Sequence, residues 1–343
     1  MNKILTFQPD ITFNKEDFVK INNKDFSENE CFEDNSKIPK FSHALHILFK
    51  NKAAAVSICI ILILALFAFL GPLISKYTYF EQLRGFENLS PSFFHPFGTD
   101  GLGRDIMVRA MYATRISILI GVVSSVIVLV IGTIYGAVSG YFAGAVDNVM
   151  MRVADLVYSI PDVIVVILLY IVLKQPLYEL FNNSQSAFLK NFALLGPGVI
   201  AIFAAFALLY WVTNARIIRG HVLVLREQDY ITAAKALGCG RARIIRKHII
   251  PNCTSQMIVT TCLMIPSAIF LESFLSFLGL GVSAPMTSLG SMINEAMYGM
   301  YSYTYRLIIP CVILCVLILC LNVLGDKLRD AFDYGHKATI NEK

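Results

Sequence analysis

Charge is scarce: Asp, Glu, Lys and Arg make up 15% of 343 residues, against roughly 25% in an ordinary soluble domain. With 56% hydrophobic residues and a mean hydropathy of +0.63, that excludes a soluble globular protein and indicates a polytopic membrane protein. A net charge of +5 gives no reason to expect nucleic acid as a partner. The eight cysteines, Cys31, Cys59, Cys239, Cys253, Cys262, Cys311, Cys315 and Cys320, contain no CxxC pair and read as small core residues, not metal ligands. No GxxxxGK[ST] run is present, so the chain has no phosphate loop with which to spend ATP. His95, His221, His248 and His336 are scattered among loops and interfaces without a catalytic constellation. Neither an enzyme nor a bound metal or cofactor is expected.

A secretory signal peptide is also missing from the expectations: Met1 to Lys52 is polar, with eight Lys against eight Asp or Glu. Residues 1 to about 40 lack periodicity and read as a flexible tail. Phe41 to Lys52 reads as a short amphipathic helix at the membrane surface. Six apolar runs follow, each long enough for a hydrocarbon core of about 30 Å: Ala53–Ile74, Ile116–Tyr141, about Val153–Leu173, about Asn191–Ala215, Cys253 to about Leu280, and Leu307–Gly325. The expected fold is therefore all-α with six transmembrane helices over residues 53–330, followed by a tail over 331–343. Six crossings put both termini on one side. With that side cytoplasmic, 21 Lys and Arg lie inside and 8 outside, the asymmetry the positive-inside rule favours.

The largest polar interruption of the apolar half is Arg226 to Asn252. It reads as two short helices at an angle. Asp229 caps the first, Ala233, Ala234 and Leu237 give it a small apolar face, and Gly238 ends it in the left-handed conformation. The second runs from about Arg241 to His248, and Pro251 punctuates entry into the next crossing. A loop this charged cannot lie in lipid and faces an aqueous protein partner.

Four other stretches carry information. The loop after the first crossing ends in HPFGTDGLGRDIMVR, a Gly-rich turn in which Asp100 and Arg104 or Asp105 can pair at the membrane boundary and orient the next helix. Gly132, Gly136, Gly140 and Gly144 form a stripe for close helix approach, after which Asp147, Arg152 and Asp155 cluster. Pro161 kinks the third crossing, and Asp162 then needs a polar partner or a water-lined face; it is read either as lining the pathway or an inter-subunit contact, or as an interfacial residue near the inner leaflet. Glu272, in LESFLSFLGLG, is the most conspicuous intramembrane ionisable residue and is read either as a pathway or inter-subunit contact or as half of a structural pair. The 174–190 loop has no assigned role.

Together these stretches resemble the C-type permease subunit of bacterial oligopeptide, dipeptide and nickel ABC importers, over roughly Phe94 to Asp333. Thr232-Ala233-Ala234, Gly238, Arg241 and Pro251 match its ATPase-coupling loop. Phe97 to Thr99, Asp100, Gly103, Arg104 and Asp105 match its Phe-Gly-Thr-Asp-x-x-Gly-Arg-Asp signature, and Leu271 to Gly281 and Asn322 to Asp333 match later motifs. Three positions depart: Thr232 stands where the family has Glu, Gly101 where Glu is common, and Leu289 where a Trp precedes Gly290. The resemblance implies a type I importer permease for peptides, oligopeptides first. It also implies a homologous second permease, two ATP-binding subunits, an extracytoplasmic solute-binding protein and surrounding membrane lipid as partners. Dipeptide or nickel import is the alternative. An ion-coupled secondary transporter is the rival of another class, but neither an internal repeat nor several midplane carboxylates are read.

Overall fold

A computed structural model describes residues 47–183, 196–282, 284 and 286–341. The N-terminal tail to residue 46, including half of the surface helix expected over 41–52, and residues 184–190 of the loop after the third crossing lie outside the described residues. Apart from an isolated bridge between Thr99 and Asp105, the described residues form helices and their connections. In chain order these are α1 (Lys52–Phe69), α2 (Gly71–Ile74), α3 (Ile106–Phe142), α4 (Gly144–Tyr158), α5 (Asp162–Asn183) and α6 (Gly196–Ala205). A π-helical turn, Phe206–Tyr210, joins α6 to α7 (Trp211–Leu225). After it come α8 (Asp229–Ala236), α9 (Arg241–Ile244), a second π turn (Ile245–Ile249), α10 (Ile250–Asn252), α11 (Thr254–Phe277), α12 (Leu289–Met297) and α13 (Tyr305–Asn341).

Five of the described spans are long and apolar enough to cross a membrane: Lys52–Ile74, Ile106–Phe142, Gly198–Leu225, Thr254–Phe277 and Tyr305–Phe332. The bent pair α4 and α5, which meet at 78°, makes a sixth where the two are counted as one span. The third crossing is thus not the single run expected over Val153–Leu173. Pro161 has no N–H to continue the ladder and disfavours helical backbone in the residue before it, so the chain breaks over Ser159–Pro161 and restarts at Asp162. The second crossing begins ten residues before the expected Ile116, because the Asp105 carboxylate accepts from the Val108 N–H at 2.9 Å and caps the helix there. At 37 residues, α3 is about 55 Å long, well over the roughly 30 Å of the hydrocarbon. The sixth crossing likewise continues past the expected Gly325 as α13.

Burial separates core spans from rim spans. In the most apolar window of Lys52–Ile74 and of Tyr305–Phe332 only 17% is buried, against 44% for Ile106–Phe142, 56% for Gly198–Leu225 and 50% for Thr254–Phe277. The outer two are the more exposed in this chain and the inner three make its core. Its largest cluster gathers Ile120 and Val128 of α3, Val166 of α5, Ile202 of α6, Phe206 of the π turn and Leu275 of α11. Lipid is as apolar as leucine, so the hydrophobic effect does not drive these helices together, and close backbone approach contributes instead. A Cβ on Gly136 would stand 2.4 Å from the Ala215 carbonyl, and one on Gly140 2.9 Å from that of Arg219. Gly132 meets the Trp211 carbonyl in the same way. Gly144 does not belong to this stripe: α3 has already ended, and the chain turns through Ala143 (φ 47°) and Gly144 (φ 58°) with nothing near the latter.

Candidate functional site

The loop 226–252 packs at the end of the bundle where α3 finishes. Its buried residues Ile231, Ile244, Ile249 and Cys253 join Ala137 of α3 and Ile218 and Val222 of α7 in one cluster. The loop is thereby clamped to α7, which leads into it, and to α3. Gln228 stands at the N-cap of α8 without a side-chain hydrogen bond, so Asp229 opens the helix instead of capping it. Gly238 adopts φ 79°, with its N–H donating to Lys235 O and the Cys239 N–H to Ala234 O, a closure that a residue with a Cβ resists. The second helix does not stop at His248. It passes through the π turn into α10 with Pro251 in its first turn, where the missing N–H costs nothing.

Burial of the isoleucines leaves one face of the loop free. Thr232, Ala233, Arg241, Arg243, Arg246, Lys247 and Pro251 are exposed, whereas Ala234 is turned inward. Leu237, at the tip between the two helices, is 86% exposed.

At the other end of α3, the loop before it is stapled to α12 by a buried ion-pair network. The Asp100 carboxylate accepts from Arg104 Nε at 2.7 Å and from Arg109 at 2.5 Å, and Arg109 and Arg104 both donate to Glu295 at 2.8 and 2.6 Å. Burial pushes the Asp100 carboxyl up, but Arg109, Arg104 and the N–H groups of Arg104 and Leu102 outweigh it and hold the group below the ordinary carboxylate range. Asp105 pairs elsewhere, with His95 Nδ1 at 2.7 Å. Gly103 takes φ 72°, and a Cβ there would meet the Leu83 carbonyl at 2.2 Å. The sequence offers no sign of Arg109 or Glu295 as partners, since the contact closes over 186 residues.

Two intramembrane carboxylates have different surroundings. Glu272 is fully buried and accepts from the hydroxyls of Ser276 at 2.7 Å, Ser117 at 3.1 Å and Ser273 at 3.3 Å, which ties α11 to α3. It lines neither of the grooves described next. Asp162 is exposed at the α4–α5 break, where it accepts from the Tyr210 hydroxyl at 2.6 Å and from the Val163 N–H at 2.8 Å. It lies where two adjoining cavities of about 510 and 500 Å³ meet. The first is lined by Tyr158, Pro161, Thr213 and Met264, the second by Pro266, Phe270, Ile318 and Asn322, and Ser267 borders both. The cluster expected from Asp147, Arg152 and Asp155 is rearranged: Asp147 pairs with Arg219 and Asp155 with Arg216, both on α7, and Arg152 takes part in neither pair. Among the described residues no group of three or more His, Cys, Asp or Glu has the arrangement of a metal site.

These features coincide with known proteins. Residues 129–335 match the family model described as the binding-protein-dependent transport system inner membrane component, and residues 41–91 match the N-terminal TM domain of oligopeptide transport permease C. The chain is 40% identical over 283 residues to the oligopeptide transport system permease protein OppC of Bacillus subtilis, covering 82% of this chain and 86% of the relative. It is 40% identical over 304 residues to the dipeptide transport system permease protein DppC of the same organism, covering 88% of each. The Escherichia coli OppC is 35% identical over 285 residues, covering 82% of this chain and 87% of the relative. With the family model spanning more than half its length, this chain belongs to the inner-membrane components of binding-protein-dependent transport systems.

Proposed function

We propose that this multi-pass inner-membrane protein is the permease subunit of a peptide importer, oligopeptides being the first choice of cargo. The observation that carries the reading is 40% identity to both an oligopeptide and a dipeptide permease over more than four fifths of the chain, supported by the match of residues 41–91 to the oligopeptide permease model. The chain contains no phosphate loop, so energy for uphill transport comes from separate ATP-binding subunits. A solute-binding protein delivers the cargo, and a second, homologous permease completes the pathway. Arginine and lysine asymmetry supports cytoplasmic termini and a cytoplasmic 226–252 loop.

Mechanistically, the exposed face of α8 and α9, with Thr232, Ala233, Gly238 and Arg241, is the surface that meets the ATPase. Because Ile231, Ile244 and Ile249 clamp that loop to α3 and α7, a displacement imposed by ATPase closure passes to those helices as a rigid movement. The groove beside Asp162 is this chain's share of the pathway, closed on its open side by the second permease. Glu272 holds α11 against α3 within that moving body. Uptake of labelled di- and pentapeptides into cells lacking the chain, and again after its restoration, tests the reading. Uptake should be lost and then recovered, with the length preference separating oligopeptide from dipeptide transport. Uptake indifferent to the chain would end the peptide assignment.

A further inference from the structure

Three helix irregularities converge on Asp162. The α4–α5 break supplies the carboxylate, the π turn Phe206–Tyr210 supplies the phenol that binds it, and α11 contributes Pro266 and Ser267 to the adjoining walls. Tyr210 lies within the span Gly198–Leu225 and Ser267 within Thr254–Phe277, so the carboxylate lies inside the depth covered by these apolar helices, toward the end of the fourth crossing that Arg216 and Arg219 follow. Irregular backbone at that depth is tolerated where it borders protein or a water-filled cavity, and π turns recur at functional sites.

The electrostatics of the site are unbalanced. Among the described residues Asp100, Asp147, Asp155 and Glu295 each face an arginine, and Glu272 is enclosed by serine hydroxyls. Asp162 has neither arrangement: its partners are a neutral phenol and one N–H, and the residues lining the two cavities include no Lys, Arg or His. A carboxylate offers about four lone-pair sites, and the two hydrogen bonds leave acceptor capacity facing the groove. Cavities of this size are in the range that holds small ligands. A negative charge in a groove whose lining holds no cation suits a cation that comes and goes.

We infer that Asp162, held by Tyr210, is the point in the pathway at which this chain meets a primary ammonium group of its cargo, either the amino terminus of a peptide or a lysine side chain. The inference rests on the peptide-permease reading and deepens it. A single charge-assisted contact is strong enough to select, and without a second charged partner it leaves the cargo free to move on.

The test uses the assembled importer in proteoliposomes with its partner subunits and binding protein. A thiol introduced by Ser267→Cys is treated with a cationic aminoethyl or an anionic sulfonatoethyl methanethiosulfonate, and labelling at position 267 is read by mass spectrometry. The preference for the cationic reagent should fall roughly tenfold when Asp162→Asn is added. In parallel, uptake of Ala-Lys-Ala, Ala-Ala-Ala and Ala-Glu-Ala is measured for the wild type, Asp162→Asn and Asp162→Glu. Loss concentrated on the lysine peptide identifies the side-chain ammonium, whereas an equal loss for all three that Asp162→Glu restores identifies the terminal amine. An unchanged reagent preference, or uptake of all three at wild-type rates in Asp162→Asn, overturns the inference. So does an equal loss that Asp162→Glu leaves in place, which marks a structural role. A wild-type importer that takes up none of the three overturns the peptide-permease reading itself.

Discussion

Arg109 and Glu295 are 186 residues apart in the chain and 2.8 Å apart in the structure. Arg109 is 3% exposed and also binds Asp100, whereas the Glu295 side chain is 41% exposed. Removing one partner of a buried pair costs about 3–5 kcal/mol, and removing one from an exposed pair about 1 or less. Arg109→Met should therefore lower the thermal stability of the purified protein in detergent much more than Glu295→Gln. Equal losses would show that burial is not what gives this network its strength.

The same network sets an acid limit. The folded pKa of Asp100 is depressed, so its stabilisation is complete above the unfolded value of about 3.9 and is lost as pH falls through the lower folded value. Wild-type stability should decline below about pH 4. Replacing Arg109 removes the main source of the depression, so the folded value moves back toward the unfolded one and the loss of stability on acidification should be smaller. Denaturation profiles between neutral and acid pH, superimposable for the two proteins, would refute the assignment.

One substitution should act with opposite sign at two glycines. Gly136→Ala places a methyl 2.4 Å from the Ala215 carbonyl, and overpacking against backbone costs about 1–3 kcal/mol. Gly220 is inside α7 with open space around it, so Gly220→Ala should add about 0.5–1 kcal/mol through helix propensity. Thermal unfolding of both variants decides the matter.

At Gly101 a side chain would point at Arg306, whose guanidinium is 3.5 Å from a Cβ built there. Gly101→Glu should form an ion pair with Arg306 worth about 1 kcal/mol or less, a gain that fades in high salt. A salt-independent gain would mean that packing, not charge, is responsible.

Leu237 is 86% exposed and Gly238 beside it has φ 79°. Leu237→Glu should leave the stability of the isolated chain within about 0.5 kcal/mol of wild type. It should nevertheless weaken pull-down of the ATP-binding subunits and lower peptide uptake. Gly238→Val should also strain the turn and lower both. A Leu237→Glu variant with normal uptake would remove this residue from the contact surface.

The spans, the clamped loop and the Gly-rich turn were legible because each is local. Twenty apolar residues, or a glycine two positions after a helix end, carry their physics within a few neighbours. The break at Ser159–Pro161 was half legible, since Pro161 announces a bend but not a 78° turn. The pairs across helices were not. Asp147 was expected to find charge beside it in the chain and instead found Arg219 on α7, because helix packing brings that guanidinium to it. The hydroxyls around Glu272 were hidden for the same reason: Ser117 lies 155 residues away.

By itself the sequence determined that this protein is an all-α membrane protein and where its apolar spans lie, with some span ends as much as ten residues from those expected, because hydropathy is a property of short segments. Only the tertiary structure decided which charges neutralise each other and which does not. Ion pairs such as Arg109 with Glu295, and the solitary Asp162 in its groove, depend on where packed helices place side chains far apart in the chain.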